Sequence, residues 1–421
     1  MKEEKNITES FIKKNAPLLI CMLIFIAGSL IRLFLRDMTS LDSDNFLVPW
    51  FNDIKSAGGF SGLDEQVGDY NILYQTIIAF FTYIPIKPLY AYKLFSCVFD
   101  LLLALLVAYI VSKLCEKNKK AYAAAAFGIV YLSPLVILNS SWWAQCDAIY
   151  TFFGIASLYL LSRKKDLAAM IVYGAAVTFK LQAIFLLPVI VLVLFMRKKT
   201  HLLYLAAVPA VMIVLSLAGI IAGRNISDIF TIYFSQTSIY KSVALNYPSV
   251  WGLASDAVHA ASFFAGKEII TQEQLYNILK YPAIAIAAAA LGAYMLVWLK
   301  KRVRIDLKNI IIMAFILSYT CVLLLPSMHE RYGFIYEILA LIIAFIDRKT
   351  VYLVCIMYAV TLITYIHFLS NCYFMPLAVL SAVNIFVYIM YAVRLSRFLQ
   401  ENSRSSSTDE RTAAPVPHIT E

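Results

Sequence analysis

The sequence predicts an all-α polytopic membrane protein, a bundle of about 12 transmembrane helices, and three observations carry that prediction. Of the 421 residues, 61% are hydrophobic and 15% charged, with a mean hydropathy of +0.75. A soluble chain averages about 45–50% apolar and about 25% charged. The apolar residues gather into runs near the ~20 residues that cross a bilayer. The basic residues cluster in every second connection between those runs, the bias that orients membrane helices. The formal net charge of +10 sits in these short clusters, which argues against a nucleic-acid-binding stripe.

Taken in order, residues 1–16 form a basic cytoplasmic N-terminus with Lys13 and Lys14 before the first apolar run, 17–35. Arg32, Arg36 and Asp37 follow without a small-x-small cleavage pattern, so this run reads as a retained span rather than a signal peptide. Further runs lie at 88–112, 121–138, 146–162, 167–179, 181–196, 202–222, 281–299, 308–325, 332–346, 350–369 and 373–393. Basic clusters follow at Lys113–Lys120, Arg163–Lys165, Arg197–Lys199, Lys300–Arg304, Arg348–Lys349 and Arg394–Arg397. With these on the cytoplasmic side, loop 36–71 lies outside, and only an odd number of crossings fits between it and Lys113. The apolar run 72–87, interrupted by Pro85, is therefore expected as an interfacial helix. The reading has a membrane domain over 17–395, a first extracytoplasmic loop with its interfacial helix over 36–87, and a second long outside loop over 223–280. A polar, Pro-containing tail over 396–421 is expected to be cytoplasmic and disordered, which places both termini inside.

Polar residues at membrane depth are costly and mark function by default. They gather at the outside ends of the spans. Asp42 and Asp44 lie in LDSDNFLVPW, beside an apolar boundary that favours a raised pKa and a general-base role; the plainer alternative is a solvated acidic loop. Asp69, Tyr70 and Asn71 lie in GDYN, where helix capping competes with ligand contact. Trp143, Gln145 and Asp147 lie in SSWWAQCD, with interfacial anchoring and capping as alternatives. Lys180 and Gln182 occupy an outside turn, where a cation breaks the positive-inside pattern; a phosphate partner competes with snorkelling. His329, Glu330, Arg331 and Tyr332 follow Pro326, and Arg331 offers a fork matched to phosphate. Asn246 lies in the second outside loop. The seven cysteines have no CxxC spacing, so neither a metal site nor a disulfide framework is expected.

Together, SLDSDNFLVPWFNDIKSAGGF…GDYNILYQ, WWAQCDAIYTFF, FKLQAIFLLP, NYPSVW and PSMHERYGF resemble the GT-C superfamily of membrane glycosyltransferases. The nearest likeness is to bacterial relatives of the GPI-anchor mannosyltransferases, over about Ser40 to Tyr332. The resemblance implies a GT-C bundle, an extracytoplasmic active site, a polyprenyl- or dolichyl-phosphate sugar donor and inversion at the anomeric carbon. The loop-one aspartate of the family maps onto Asp42, with Asp44 as fallback. Three positions depart from the family pattern: Ala144 stands for Gly in W-G-Q-x-D, Leu181 for Pro in K-P-Q, and Gly333 for the aromatic after HERY.

The expectation is thus an inverting hexosyltransferase of the cell envelope, mannose being the first candidate sugar, with a glycan, lipid or polymer acceptor. Asp42 or Asp44 is the base, and Lys180, His329 and Arg331 hold the donor phosphate. Asp69, Tyr70, Asn71, Trp143, Gln145, Asp147, Gln182, Asn246, Glu330 and Tyr332 contact substrate. No cofactor is called for, because a phosphate leaves readily. A transporter or flippase of lipid-linked sugars is the alternative; it should show inverted repeats or Gly/Pro-broken spans at mid-membrane, and neither is evident. Sugar, acceptor and oligomeric state stay open.

Overall fold

The computed structural model describes residues 2–412; side chains are described for 15–235 and 240–399. The chain is almost entirely helical, and a two-residue parallel pairing of Ala244–Leu245 with Met328–His329 is the one sheet among the described residues. Among the described residues, six helices are long and apolar enough to cross a membrane: Asn15–Asp37, Pro88–Leu114, Gln272–Lys300, Leu307–Leu324, Arg348–Ser370 and Leu377–Leu399. The chain is therefore a multi-pass membrane protein. A seventh candidate is the pair Lys119–Tyr131 and Pro134–Trp142, bent by 46°. The bend falls at Ser133-Pro134, where the proline lacks the amide that would continue the helix.

The runs expected at 146–162, 167–179, 181–196, 202–222 and 332–346 appear as the shorter apolar helices Asp147–Ser162, Asp166–Phe179, Leu181–Arg197, Lys199–Leu215 and Phe334–Ile346. The segment 36–71, expected as the first outside loop, is more ordered than its charge suggests. It is helical over Ser43–Leu47 and Val48–Ser56 and tightly coiled over Gly59–Leu63 before helix Ile72–Phe81. The segment 223–280 likewise holds helices Asp228–Ile239 and Val250–Ala265. The expected irregular tail differs too. The last helix runs from Leu377 to Thr412, because no proline or glycine interrupts it; the rest, 413–421, lies outside the described residues.

Helix Leu307–Leu324 is the centre of the bundle, with 83% of its residues buried. Tyr319 stacks on Tyr336 of the neighbouring helix at 4.1 Å. Buried charges tie the first helices together. Arg32 bonds Asp100 through Nε at 3.0 Å and Nη2 at 2.9 Å, donates to the carbonyls of Gly28 and Tyr131, and lies over the Tyr131 ring. Ser140 donates to the same Asp100 oxygen at 2.6 Å. An unpaired charge in such a place costs several kcal/mol, so these contacts fix which helices are neighbours.

Candidate active site

Four segments converge on one polar cleft: the helical stretch after the first span, the loop before Ile72, the turns around Gln145 and Lys180, and the HERY turn. The cleft encloses about 690 Å³ of space, partly open to solvent, and its lining includes Asp42, Trp50, Asp69, Tyr70, Gln145, Lys180, Gln182, His329, Arg331 and Tyr332.

Asp42 is placed by contacts from both sides. The buried Lys93 caps the end of the first span, donating to the carbonyls of Leu35, Arg36 and Met38, where a helix terminus favours a cation. Trp142 Nε1 then holds the Thr39 carbonyl at 3.0 Å, and Ser40 and Ser43 bond each other at the helix start. Asp42 Oδ2 accepts hydrogen bonds from Trp143 Nε1 at 2.8 Å and Gln145 Nε2 at 2.9 Å, and Arg331 Nη1 lies 3.4 Å away. Asp44, two residues on, is exposed and does not line the cleft; two positions turn a helix by about 200°. Of the two aspartates the sequence offers, Asp42 is the one that faces the cleft.

Asp147 and Lys180 make a buried pair at 2.6 Å. Lys180 sits in an extended break between two helices, which frees its side chain to reach back; Gln145 Oε1 lies 3.5 Å from its Nζ. Asn139 donates to the other Asp147 oxygen at 2.8 Å. Arg331 lies among Asp42, Asp147 at 3.9 Å and Glu330 at 3.5 Å, and over the Trp143 ring at 5.3 Å. Its buried Nε–H makes no hydrogen bond. Burial pushes the Glu330 carboxyl up to about 7 against the pull of Arg331, and burial likewise raises Asp69. Burial, then the charges of Arg331 and Lys180, hold His329 well below the usual imidazole range. His329 is therefore held in its neutral form, with an N–H to donate and no cationic charge. Gln182 Oε1 is buried without a partner.

Besides Asp44, the expected Asn71 and Asn246 stay away from the cleft. Asn71 caps helix Ile72–Phe81, accepting from the Ile72 amide at 2.7 Å and donating to the Ile229 carbonyl at 3.0 Å. Asn246 is a left-handed turn residue bridged to His329. Asp147, Glu330 and Trp143 stand behind the lining and hold its members. Phe46, Leu47, Trp50 and Tyr240 line the cleft and were missed. Asp42, Phe46 and Trp50 are spaced i, i+4, i+8, one helix face, but the segment read as a loop.

The departures from the family pattern have structural counterparts. Ala144 has φ +62°, where glycine would be relaxed. A Cβ at Gly333 would lie 2.7 Å from Glu337 Oε1 and 2.8 Å from the Tyr336 hydroxyl, so a larger residue there has to displace the ends of those side chains.

Beside the cleft runs an apolar groove of about 1520 Å³, walled by residues such as Val177, Ile184, Phe185, Met212, Phe234 and Ile284. Gln182, Tyr240, His329 and Tyr332 line both spaces. A family model described as glycosyltransferase family 87 matches residues 70–326, more than half of the chain. No curated protein matches it.

Proposed function

Because the chain belongs to glycosyltransferase family 87, we propose that it is a GT-C-type inverting glycosyltransferase. It moves a hexose, mannose first, from a polyprenyl-phosphate donor to an extracytoplasmic glycan, lipid or polymer. The observation that supports the donor class is the continuity of polar cleft and apolar groove through Gln182, Tyr240, His329 and Tyr332. A sugar phosphate fits the first and an isoprenoid chain the second; a nucleotide sugar has no use for the groove.

In this reading Lys180, Arg331 and neutral His329 hold the donor phosphate. Both cations already face carboxylates, so the phosphate must compete for them. The 3.4 Å contact of Arg331 with Asp42 is the loosest of the three at that oxygen. An entering phosphate draws Arg331 away and frees Asp42 Oδ2 for the acceptor hydroxyl, so donor binding prepares the acceptor side. Asp42 takes the acceptor hydroxyl proton as its oxygen attacks the anomeric carbon. The bond to the phosphate oxygen breaks with its electron pair, and Arg331 and Lys180 stabilise the charge that develops. Attack opposite the leaving phosphate inverts the centre. The six long helices, the bent pair and five of the shorter ones supply twelve crossings; Ile72–Phe81 lies at the interface, and both termini are cytoplasmic.

A second assignment makes Asp69 the base, favoured by its place in the cleft and its burial-raised carboxyl. The test is sugar release from radiolabelled polyprenyl-phosphate mannose, glucose, galactose and arabinose by membranes carrying the protein. Release from any of them supports the lipid donor, and loss in Asp69→Asn but not Asp42→Asn moves the base. Turnover of a nucleotide sugar alone overturns the donor class; translocation of an intact lipid-linked sugar without bond cleavage restores the transporter reading.

A further inference from the structure

Arg224 lies in the second outside loop and is 4% exposed. Helix Leu217–Ala222 ends at Gly223 with φ +117°, and the Arg224 amide bonds back to the Gly219 carbonyl at 2.9 Å. This glycine-terminated turn aims the guanidinium at the first outside loop. There Nε donates to the Leu63 and Asp64 carbonyls, both at 3.1 Å, and Nη2 to the Glu65 carbonyl. Nη1 donates to Gln66 Oε1 at 2.6 Å and Nη2 to Gln75 Oε1 at 3.3 Å. The two glutamines, oriented in this way, finish the work on the same loop. Gln66 Nε2 bonds the carbonyls of Gly68 and Tyr70, and Gln75 Nε2 those of Val67 and Tyr70.

Three side chains thus take six successive or near-successive carbonyls, one at the end of the Gly59–Leu63 coil and five in the following segment, which belongs to no helix or strand. That segment carries Asp69 and Tyr70 into the cleft. Tyr70 in turn donates to Gln145 Oε1 at 3.0 Å, and Gln145 donates to Asp42. From this we propose that Arg224 is a positioning residue for the transfer reaction. Through Gln66 and Gln75 it locks the 63–70 loop so that Tyr70 fixes Gln145, and Gln145 fixes Asp42. The lock touches neither cleft nor groove, and it rests on the assignment of Asp42 and its neighbours as the reacting site. Lysine cannot replace it, because one ammonium cannot spread over five acceptors.

Two readouts on the full-length protein in detergent test it, with Arg224→Gln and Arg224→Lys. The first is cleavage after Glu65 by a glutamate-specific protease, located by mass spectrometry, with cleavage after Glu268 as internal control. Both glutamates are exposed. The expectation is at least tenfold faster cleavage at Glu65 in Arg224→Gln, a smaller increase in Arg224→Lys, and no change at Glu268. The second is kinetics with the polyprenyl-phosphate sugar that the wild type turns over. There kcat falls at least tenfold in Arg224→Gln, with KM for the donor within threefold, and is partly restored in Arg224→Lys. Unchanged cleavage at Glu65 in both variants overturns the lock. Faster cleavage with unchanged kcat overturns its role in positioning. A wild type that turns over no such donor overturns the proposed function, while the proteolysis still decides the lock.

Discussion

Asp42→Asn is the sharpest perturbation the site allows. The hydrogen bonds from Trp143 and Gln145 and the contact with Arg331 all converge on one carboxylate oxygen, Oδ2. Asparagine can place its carbonyl oxygen there and its amide where Oδ1 was, so the variant keeps the geometry and removes the charge and the proton acceptor. Loss of a general base lowers kcat by about 10²–10⁴-fold, which at about 1.36 kcal/mol per decade is ~2.7–5.4 kcal/mol of transition-state stabilisation. Donor affinity moves the other way. With the Asp42 charge gone, Arg331 has one competitor fewer for the phosphate. Two unit charges at this separation interact by ~4 kcal/mol at an effective dielectric of 20. Asp147 and Glu330 still compensate Arg331, so the gain is nearer ~1 kcal/mol, or three- to tenfold tighter donor binding. The assay is paired: single-turnover release of labelled sugar, and equilibrium binding of the intact donor. Unchanged turnover refutes Asp42 as base. Weaker donor binding refutes the competition between phosphate and Asp42 for Arg331, even if turnover is lost.

Three further outcomes are expected. The Glu330 carboxyl, raised to about 7 by burial, is charged above that pH and neutral below it. Lowering the pH from 8 to 6 therefore leaves Arg331 less compensated and tightens donor binding several-fold. A phosphodiester does not titrate in this window, so a flat donor Kd profile in Glu330→Gln, measured by equilibrium binding, checks the assignment. Ala144→Gly relieves a left-handed alanine, worth roughly 1–2 kcal/mol, against about 0.8 kcal/mol for the buried methyl; Tm stays level or rises slightly, whereas Ala144→Val, branched at Cβ, lowers it by several degrees and reduces activity. A cysteine at the exposed Ser61 reacts with an impermeant thiol reagent in intact cells above the background of the native cysteines, and labelling only after lysis overturns the proposed topology.

The cleft was legible where chemistry clusters along the chain, and hidden where it is assembled across it. Lys180, Arg331 and Gln145 stood out as charges or polar groups at the outside ends of apolar runs, and the structure brings them together. Which of Asp42 and Asp44 faces the cleft was not legible, because about half a helical turn separates them and the acidic, proline-containing segment looked irregular. Asn71 offered both capping and ligand contact, and the buried amide of Ile72 settles it for capping. Lys93 and Arg224 carried no signal at all. Their partners are backbone carbonyls, which every residue has, so nothing in the sequence at Leu35–Met38 or Leu63–Glu65 announces them. The shorter helices were visible as apolar runs, but their breaks at Ser133, Lys180 and Ser216 follow from packing as much as from local preference.

Gly333 has a consequence for how this chain can change. Glu337 and Tyr336 occupy the volume into which any side chain at that position would grow, and Glu337 is itself held by Thr361 at 2.6 Å on the next helix. A single substitution to the aromatic usual after HERY therefore meets a collision, and a single change at Glu337 leaves a hole beside the HERY turn. The two positions, and Thr361 behind them, therefore constrain one another: growth at Gly333 has to move the carboxylate that Thr361 holds, and a change at Glu337 or Thr361 alters the room left beside the HERY turn.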